Sequence, residues 1–271
     1  MHRLFGAIIT LCLVSLDVSA NPLLLEGDVI QGGLIIGQTD PGATVSLDGK
    51  QLRVSPNGLF VFGLGRDAGK TTVIETLLPS GKRYSRTLQI KQRTYRIQRI
   101  NGLPRKMVTP SAEAMERIRR EGKAIWSART MFTMKTHFRA GFIWPLKGWI
   151  SGVYGSQRIL NGEPRRPHLG VDIAAPKGTT VVAAAAGLVT LAEKNLYFTG
   201  GTVIIEHGHA LSTVYSHLSE IDVQKGETLP RGRKIGAVGS TGRSTGPHLD
   251  WRINWLQERL DPMLLVGPMP K

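Results

Sequence analysis

The chain has 271 residues, 41% of them apolar, enough to bury a core in each of two modest domains. Lys and Arg number 35 against 20 Asp and Glu, and the net charge of +15 points to polyanionic surroundings at long range. The single cysteine, Cys12, excludes an internal disulfide framework.

The first 20 residues read as a secretory signal peptide. Met1-His-Arg3 precedes an apolar run from Leu4 to Leu16, and Val18-Ser-Ala20 supplies the small residues of a cleavage site after Ala20. The run is too short to span a bilayer, and Leu11 before Cys12 is bulky for a lipid-attachment site. The expectation is an exported protein of the periplasm or cell envelope, with no stable membrane span after cleavage and no thiol chemistry in the mature chain. A basic exported chain fits cell-wall polymer or anionic lipid surfaces, and no recognisable module supports nucleic acid as a partner.

Residues 21–100 alternate short β-rich runs with turns. Val29–Ile36 is followed by Asp40-Pro-Gly42, and Thr44–Leu47 runs into Asp48-Gly49, a strong hairpin signal. Pro56-Asn-Gly58 precedes Leu59–Phe62, and Thr71–Leu78 and Tyr84–Ile90 flank Ser80-Gly81. About seven short strands at this spacing predict a β-sandwich of immunoglobulin-like character, without its cysteines. Gly65-Arg-Asp-Ala-Gly69-Lys70-Thr71 superficially resembles a phosphate-binding loop, but Leu64 stands where that motif needs glycine and no helical pattern follows. A hairpin turn is expected there.

Residues 101–141 read as a linker with a basic amphipathic helix. Thr109 as N-cap and Pro110 in the first turn open it. Met115, Ile118, Ile125 and Trp126 form an apolar stripe to pack on the next domain, while Arg117, Arg119, Arg120 and Lys123 face away. From Phe142 to the end of the chain, residues 142–271, the pattern is again β-rich with glycine-rich turns. Strands are expected over 179–184, 187–192, 201–206, 212–217, 234–238 and 249–253.

Three segments of this last region concentrate titratable groups: His168-Leu-Gly-Val-Asp172, Tyr215-Ser-His217-Leu-Ser, and Thr245-Gly-Pro-His248-Leu-Asp250. Side chains two apart on a strand share a face, so His168 with Asp172, His248 with Asp250, and Thr213, Tyr215 with His217 are each expected together. Such an arrangement offers His168, Asp172, His217, His248 and Asp250 to one groove. His207 and His209 flank Gly208 at an expected hairpin tip and read as turn residues, while His2 and His137 carry no role.

The order H-x-x-x-D, then Y-x-H-L-S, then G-P-H-x-D resembles the lysostaphin-type (M23/LytM) zinc metalloendopeptidases over roughly residues 142–262. Val153-Tyr-Gly155, Ala174-Ala-Pro176-Lys-Gly178-Thr179 and Gly239-Ser-Thr-Gly242 match as well. Asp250 stands where that family has its last metal-ligand histidine. The resemblance implies a mainly β fold with a C-terminal lysostaphin-type antiparallel domain. It also implies Zn2+ held by His168, Asp172 and Asp250, with His217 and His248 catalytic. Aspartate remains a competent zinc donor, although two carboxylates neutralise the ion and weaken it as a Lewis acid. The implied activity is hydrolysis of peptide cross-links in bacterial peptidoglycan. The alternative is a catalytically degenerate regulator that binds and activates another cell-wall hydrolase or a division partner.

Overall fold

The computed structural model describes residues 23–100, 112–160, 162–164 and 166–270. The expected signal peptide and the Thr109-Pro110 helix start lie outside the described residues. Seven strands form two antiparallel sheets at the N-terminal end. One holds β1 (Leu23–Glu26), β2 (Leu34–Thr39) and β5 (Leu59–Gly63). The other holds β3 (Thr44–Leu47), β4 (Lys50–Gln51), β6 (Thr71–Leu77) and β7 (Arg83–Gln89). Ile35, Phe60, Phe62, Val45, Ile74 and Leu88 meet between the layers. The Asp48-Gly49 signal is a tight turn joining β3 to β4, with both residues at positive φ (47° and 75°). The segment 65–70 departs from expectation. It links β5 to β6, which lie in different sheets, so it is a crossover between layers and not a hairpin.

β8 (Ile97–Ile100) leaves this region and pairs in parallel with β10 (Gln157–Leu160), which also pairs with β11 (Glu163–Pro164). The helix α1 (Ala112–Arg129) follows. Its buried side differs from the expected stripe. Met115 and Trp126 are exposed, whereas Ala128 and Arg129 are buried and Ile118, Glu121 and Ile125 are half-buried. Arg117 does not face away: it bonds Glu121 (2.6 Å) and the Asn195 carbonyl (2.5 Å). Pairing of Arg117 with Glu121 one turn on explains the rotation, since it draws a charged pair onto the packed side.

The rest of the chain forms a large antiparallel sheet. Its strands are β9 (Trp149–Gly152), β12 (Val171–Ala174), β14 (Gly187–Leu196), β15 (Gly200–Glu206), β16 (Leu211–Leu218), β18 (Thr228–Leu229), β20 (His248–Trp255) and β21 (Glu258–Leu260). The order is β18-β14-β15-β16-β20-β12-β9, with β21 added beside β20. A smaller sheet, of β13 (Thr180–Val182), β19 (Lys234–Ala237) and β17 (Glu220–Ile221), closes over one face, and α2 (Met263–Val266) ends the fold. Val171, Ile173, Val203, Ile205, Tyr215, Leu249, Trp251 and Ile253 fill the space between, so odd-numbered residues of β20 point inward. Leu34, Leu59 and Val61 of the N-terminal layers share this core. No helix among the described residues is long and apolar enough to cross a membrane.

Candidate active site

The even-numbered residues of β20 point away from that core and form a groove. Asp250 lies opposite Asp172 on β12, which lies opposite Gly152 on β9. A Cβ at Gly152 would collide with the Asp172 carboxylate, so the glycine makes room for it. His168 is in the loop before β12 and not on the strand. Main-chain bonds hold it there: its N–H donates to the Ser156 carbonyl (2.7 Å), and its carbonyl accepts from Gly155 (2.8 Å).

His217 reaches the groove by a different route from the one alternation predicts. Tyr215 points into the core, where its hydroxyl accepts from the Ala184 N–H (2.8 Å). Strict alternation would bury His217 beside it. Instead, the pairing of β15 with β16 slips, so two steps from Gly201 to Val203 oppose three from Leu218 to Tyr215. This bulge, with His217 at φ 66°, reverses the parity and turns the imidazole outward, 4.8 Å from the His248 ring centroid. Ser216, which lies opposite Asp250, shares the groove face, and Thr213 with Tyr215 does not.

Both imidazoles are fixed through one nitrogen. His217 Nδ1 lies 2.8 Å from the Thr241 carbonyl, and His248 Nδ1 lies 2.8 Å from the Gly246 carbonyl. A carbonyl only accepts, so each Nδ1 carries the proton and each neutral ring keeps an acceptor at Nε2. Burial lowers the His217 pKa, favouring that neutral form. His248 Nε2 faces the acids, 3.8 Å from Asp172 Oδ1.

His168, Asp172 and Asp250 each place a donor atom so that all three lie within 4.8 Å of one another. His168 Nε2 is buried and makes no hydrogen bond, although Asp172 Oδ1 is 3.3 Å away. An orphaned imidazole nitrogen between two carboxylates is the chemistry of a divalent metal site, and the donor set fits one. Burial raises the Asp172 pKa above the usual carboxylate range, as desolvation without a full countercharge does.

Arg252, which sequence reasoning passed over, is the added element. Its Nε donates to both oxygens of Asp250 (2.8 and 3.1 Å), and its Nη2 donates to Oδ2. Asp250 is only 4% exposed. Burial alone would push its pKa up, but the guanidinium overcomes that and holds it at about 2. Gly170 makes the clamp possible, since a Cβ there would come within 2.5 Å of Arg252 Cγ and 2.9 Å of Asp250 Oδ1. The i, i+2 spacing of Asp250 and Arg252 on one strand was the available signal.

His207 and His209 do lie in the turn between β15 and β16, yet both are buried. His207 is held between the Ala186 carbonyl (2.6 Å) and Thr213 Oγ1 (2.8 Å), and burial drives its pKa down to about 4. His137 lies in a short 3-10 turn, His137–Ala140.

A sequence profile of peptidase family M23 matches residues 166–262, the stretch that carries all five groove residues. These residues form a peptidase family M23 domain. Peptidoglycan DD-endopeptidase ShyA of Vibrio cholerae is 42% identical over 102 residues, covering 34% of this chain and 24% of that protein. Cell division protein DipM of Caulobacter vibrioides is 31% identical over 127 residues, or 47% of this chain and 20% of that protein. The M23 match thus spans about a quarter or less of each of these relatives. A Pseudomonas aeruginosa protein assigned to peptidase M23 superposes with a TM-score of 0.69 at 26% identity, covering 89% of this chain and 96% of that one. That breadth extends the likeness beyond residues 166–262 into the N-terminal layers.

Proposed function

We propose that this protein is an exported zinc-dependent endopeptidase that hydrolyses peptide cross-links of bacterial peptidoglycan. The observation that carries the reading is the convergence of His168, Asp172 and Asp250 beside two histidines that are tethered to main-chain carbonyls through Nδ1. ShyA, a peptidoglycan DD-endopeptidase by name, supports the substrate class. The expected division into a signal peptide (1–20), a β-sandwich domain (21–100), a linker (101–141) and a peptidase domain (142–271) belongs to the same proposal.

Zinc held by His168, Asp172 and Asp250 would supply Lewis acidity to the scissile carbonyl. His217 and His248 act as the proton carriers of the groove. As neutral rings with protonated Nδ1, they accept a proton from the attacking water at Nε2 and return it to the departing amide nitrogen. Their main-chain tethers hold each ring through Nδ1 and leave Nε2 to face the groove, where that of His248 lies 3.8 Å from Asp172 Oδ1. Arg252 keeps Asp250 ionised throughout, so that carboxylate does not draw on the proton inventory.

The Arg252 clamp also favours a second reading. A cation already seated on Asp250 competes with a metal for the same carboxylate. A groove that keeps its shape without metal suits a regulator that binds another cell-wall hydrolase or division protein. Zinc content of the purified protein, measured with digestion of isolated sacculi, separates the two. About one zinc per chain, lost in Asp172→Ala and Asp250→Ala, together with muropeptide release, supports the enzyme. A metal-free, inactive protein that stimulates a separate hydrolase overturns it.

A further inference from the structure

Beyond Arg252, the same sheet face carries cations that the proposed chemistry does not use. β20 continues from Arg252 to Asn254, which pairs across the strands with Arg259 of β21. Arg129, at the end of α1, packs over this end of the sheet, where its carbonyl accepts weakly from Ser212 Oγ (3.4 Å). Ser212 is the residue opposite Asn254 on β16. Arg129 is 7% exposed, its Nε has no hydrogen-bond partner, and its Nη2 makes one long contact with the Leu256 carbonyl (3.5 Å). The Asn254 amide is fully buried, and neither its oxygen nor its nitrogen has a partner.

Among the described residues, no carboxylate forms an ion pair with Arg129 or Arg259. Arg259 Nη1 finds only the Gln257 carbonyl, at 3.5 Å. Burial and then the charge of Arg252 lower the Arg129 pKa to about 10. Burial and then Arg129 and Arg252 lower that of Arg259 to about 9, against the weaker opposing pull of the neighbouring Glu258 carboxylate. Buried like charges with unmet donors are costly unless a counter-anion completes them. The cluster opens to solvent at its rim, where the Arg252 side chain is 32% exposed, Arg259 is half-buried and Arg166 is exposed, while Arg129 and Asn254 form its buried floor.

The geometry points to an anion subsite, formed by Arg129, Arg252, Arg259 and the Asn254 amide, that takes a carboxylate of the peptidoglycan stem peptide. The peptide as ligand rests on the substrate proposed above; the anion site rests on the arginines alone. Guanidinium forks match a planar carboxylate with paired hydrogen bonds. Placed along β20 from Asp250, the subsite would hold a substrate carboxylate at one end of the groove while the scissile amide lies at His217 and His248. It is a binding and positioning feature.

The test is calorimetric titration of the purified full chain with an uncross-linked stem tetrapeptide. This ligand has no cross-link to cut, so binding is read whether or not the protein is an enzyme. Arg259→Gln should weaken binding about tenfold or more, as loss of a charge-assisted pair does. Amidating the peptide carboxylates should weaken binding to the native protein similarly, and should have little further effect in Arg259→Gln. Asn254→Asp places a carboxylate among the arginines. It should raise the melting temperature and abolish peptide binding, which keeps the test informative if Arg259→Gln folds poorly. Inorganic phosphate, titrated in parallel, should bind more weakly than the peptide. Peptide binding indifferent to amidation, tighter binding of phosphate, or an Asn254→Asp variant that is destabilised and still binds peptide would each overturn the assignment.

Discussion

Asp250 and Arg252 decide the electrostatics of the groove. A carboxyl whose folded-state pKa is depressed takes up protons more readily when unfolded, so its stabilising effect is present above the unfolded pKa and fades as pH falls through the folded one. With the Asp250 carboxyl held at about 2, against about 3.9 for an ordinary aspartate, its ionisation contributes about 2 to 3 kcal/mol at neutral pH. In the presence of chelator, the native protein should lose that increment between about pH 4 and pH 2. Asn at position 250 should abolish that part of the acid transition and lower stability at pH 7, as urea midpoints at stepped pH would show. An unchanged acid limb in Asp250→Asn would mean that the ion pair adds nothing to the metal-free fold. A related expectation concerns Asp250→His. The substitution offers a neutral nitrogen donor in place of the carboxylate but strands Arg252, so zinc affinity by chelator competition should rise only when Arg252→Leu is added.

At the scale of the element, the motifs brought Asp172, His248 and Asp250 to facing strands, but alternation did not describe His168, which lies in the loop before β12, and it failed at β16. Alternation correctly paired His248 with Asp250, because β20 runs without interruption from residue 248 to 255. It failed at His217 because a bulge is set by backbone pairing with Gly201–Val203, which the residue pattern of β16 alone does not encode. The stripe on α1 was misplaced for a similar reason. Glu121, polar by composition, turns inward to accept from the Tyr197 N–H (2.7 Å), and tertiary hydrogen bonding overrode the apolar count. The bulge carries a testable cost. His217 holds φ 66°, a conformation that disfavours any residue with a Cβ. His217→Ala and His217→Gly both remove the imidazole and its bond to Thr241. The glycine variant should nevertheless be more stable by about 1 kcal/mol, while neither variant releases muropeptides from sacculi. Equal stabilities in denaturant titration would show that the turn relaxes when the ring is removed.

Across the whole molecule, the hydrophobic rhythm announced β-rich layers at both ends, but not that they share one core. The connection is made by residues that look ordinary in sequence: Leu34, Leu59 and Val61 on one side, Trp255 and Leu260 on the other. β8 strengthens it by pairing with β10, and Arg66 by donating to the Gly155 carbonyl (2.9 Å), beside the loop that seats His168. Gly63 marks one close apolar approach across the seam. A Cβ there would come within 2.7 Å of Leu260 Cδ2 and 3.3 Å of Trp255 Cβ, so the two layers are packed to glycine distance. Gly63→Ala should overpack this seam and cost about 1–3 kcal/mol. Because the seam is continuous with the core beneath β20, the loss should appear as one calorimetric transition moved down by a few degrees, about 2–4 °C per kcal/mol for a chain of this size. If two transitions appear and only one moves, the halves unfold separately. The loop that seats His168 would then not depend on the N-terminal layers for its stability.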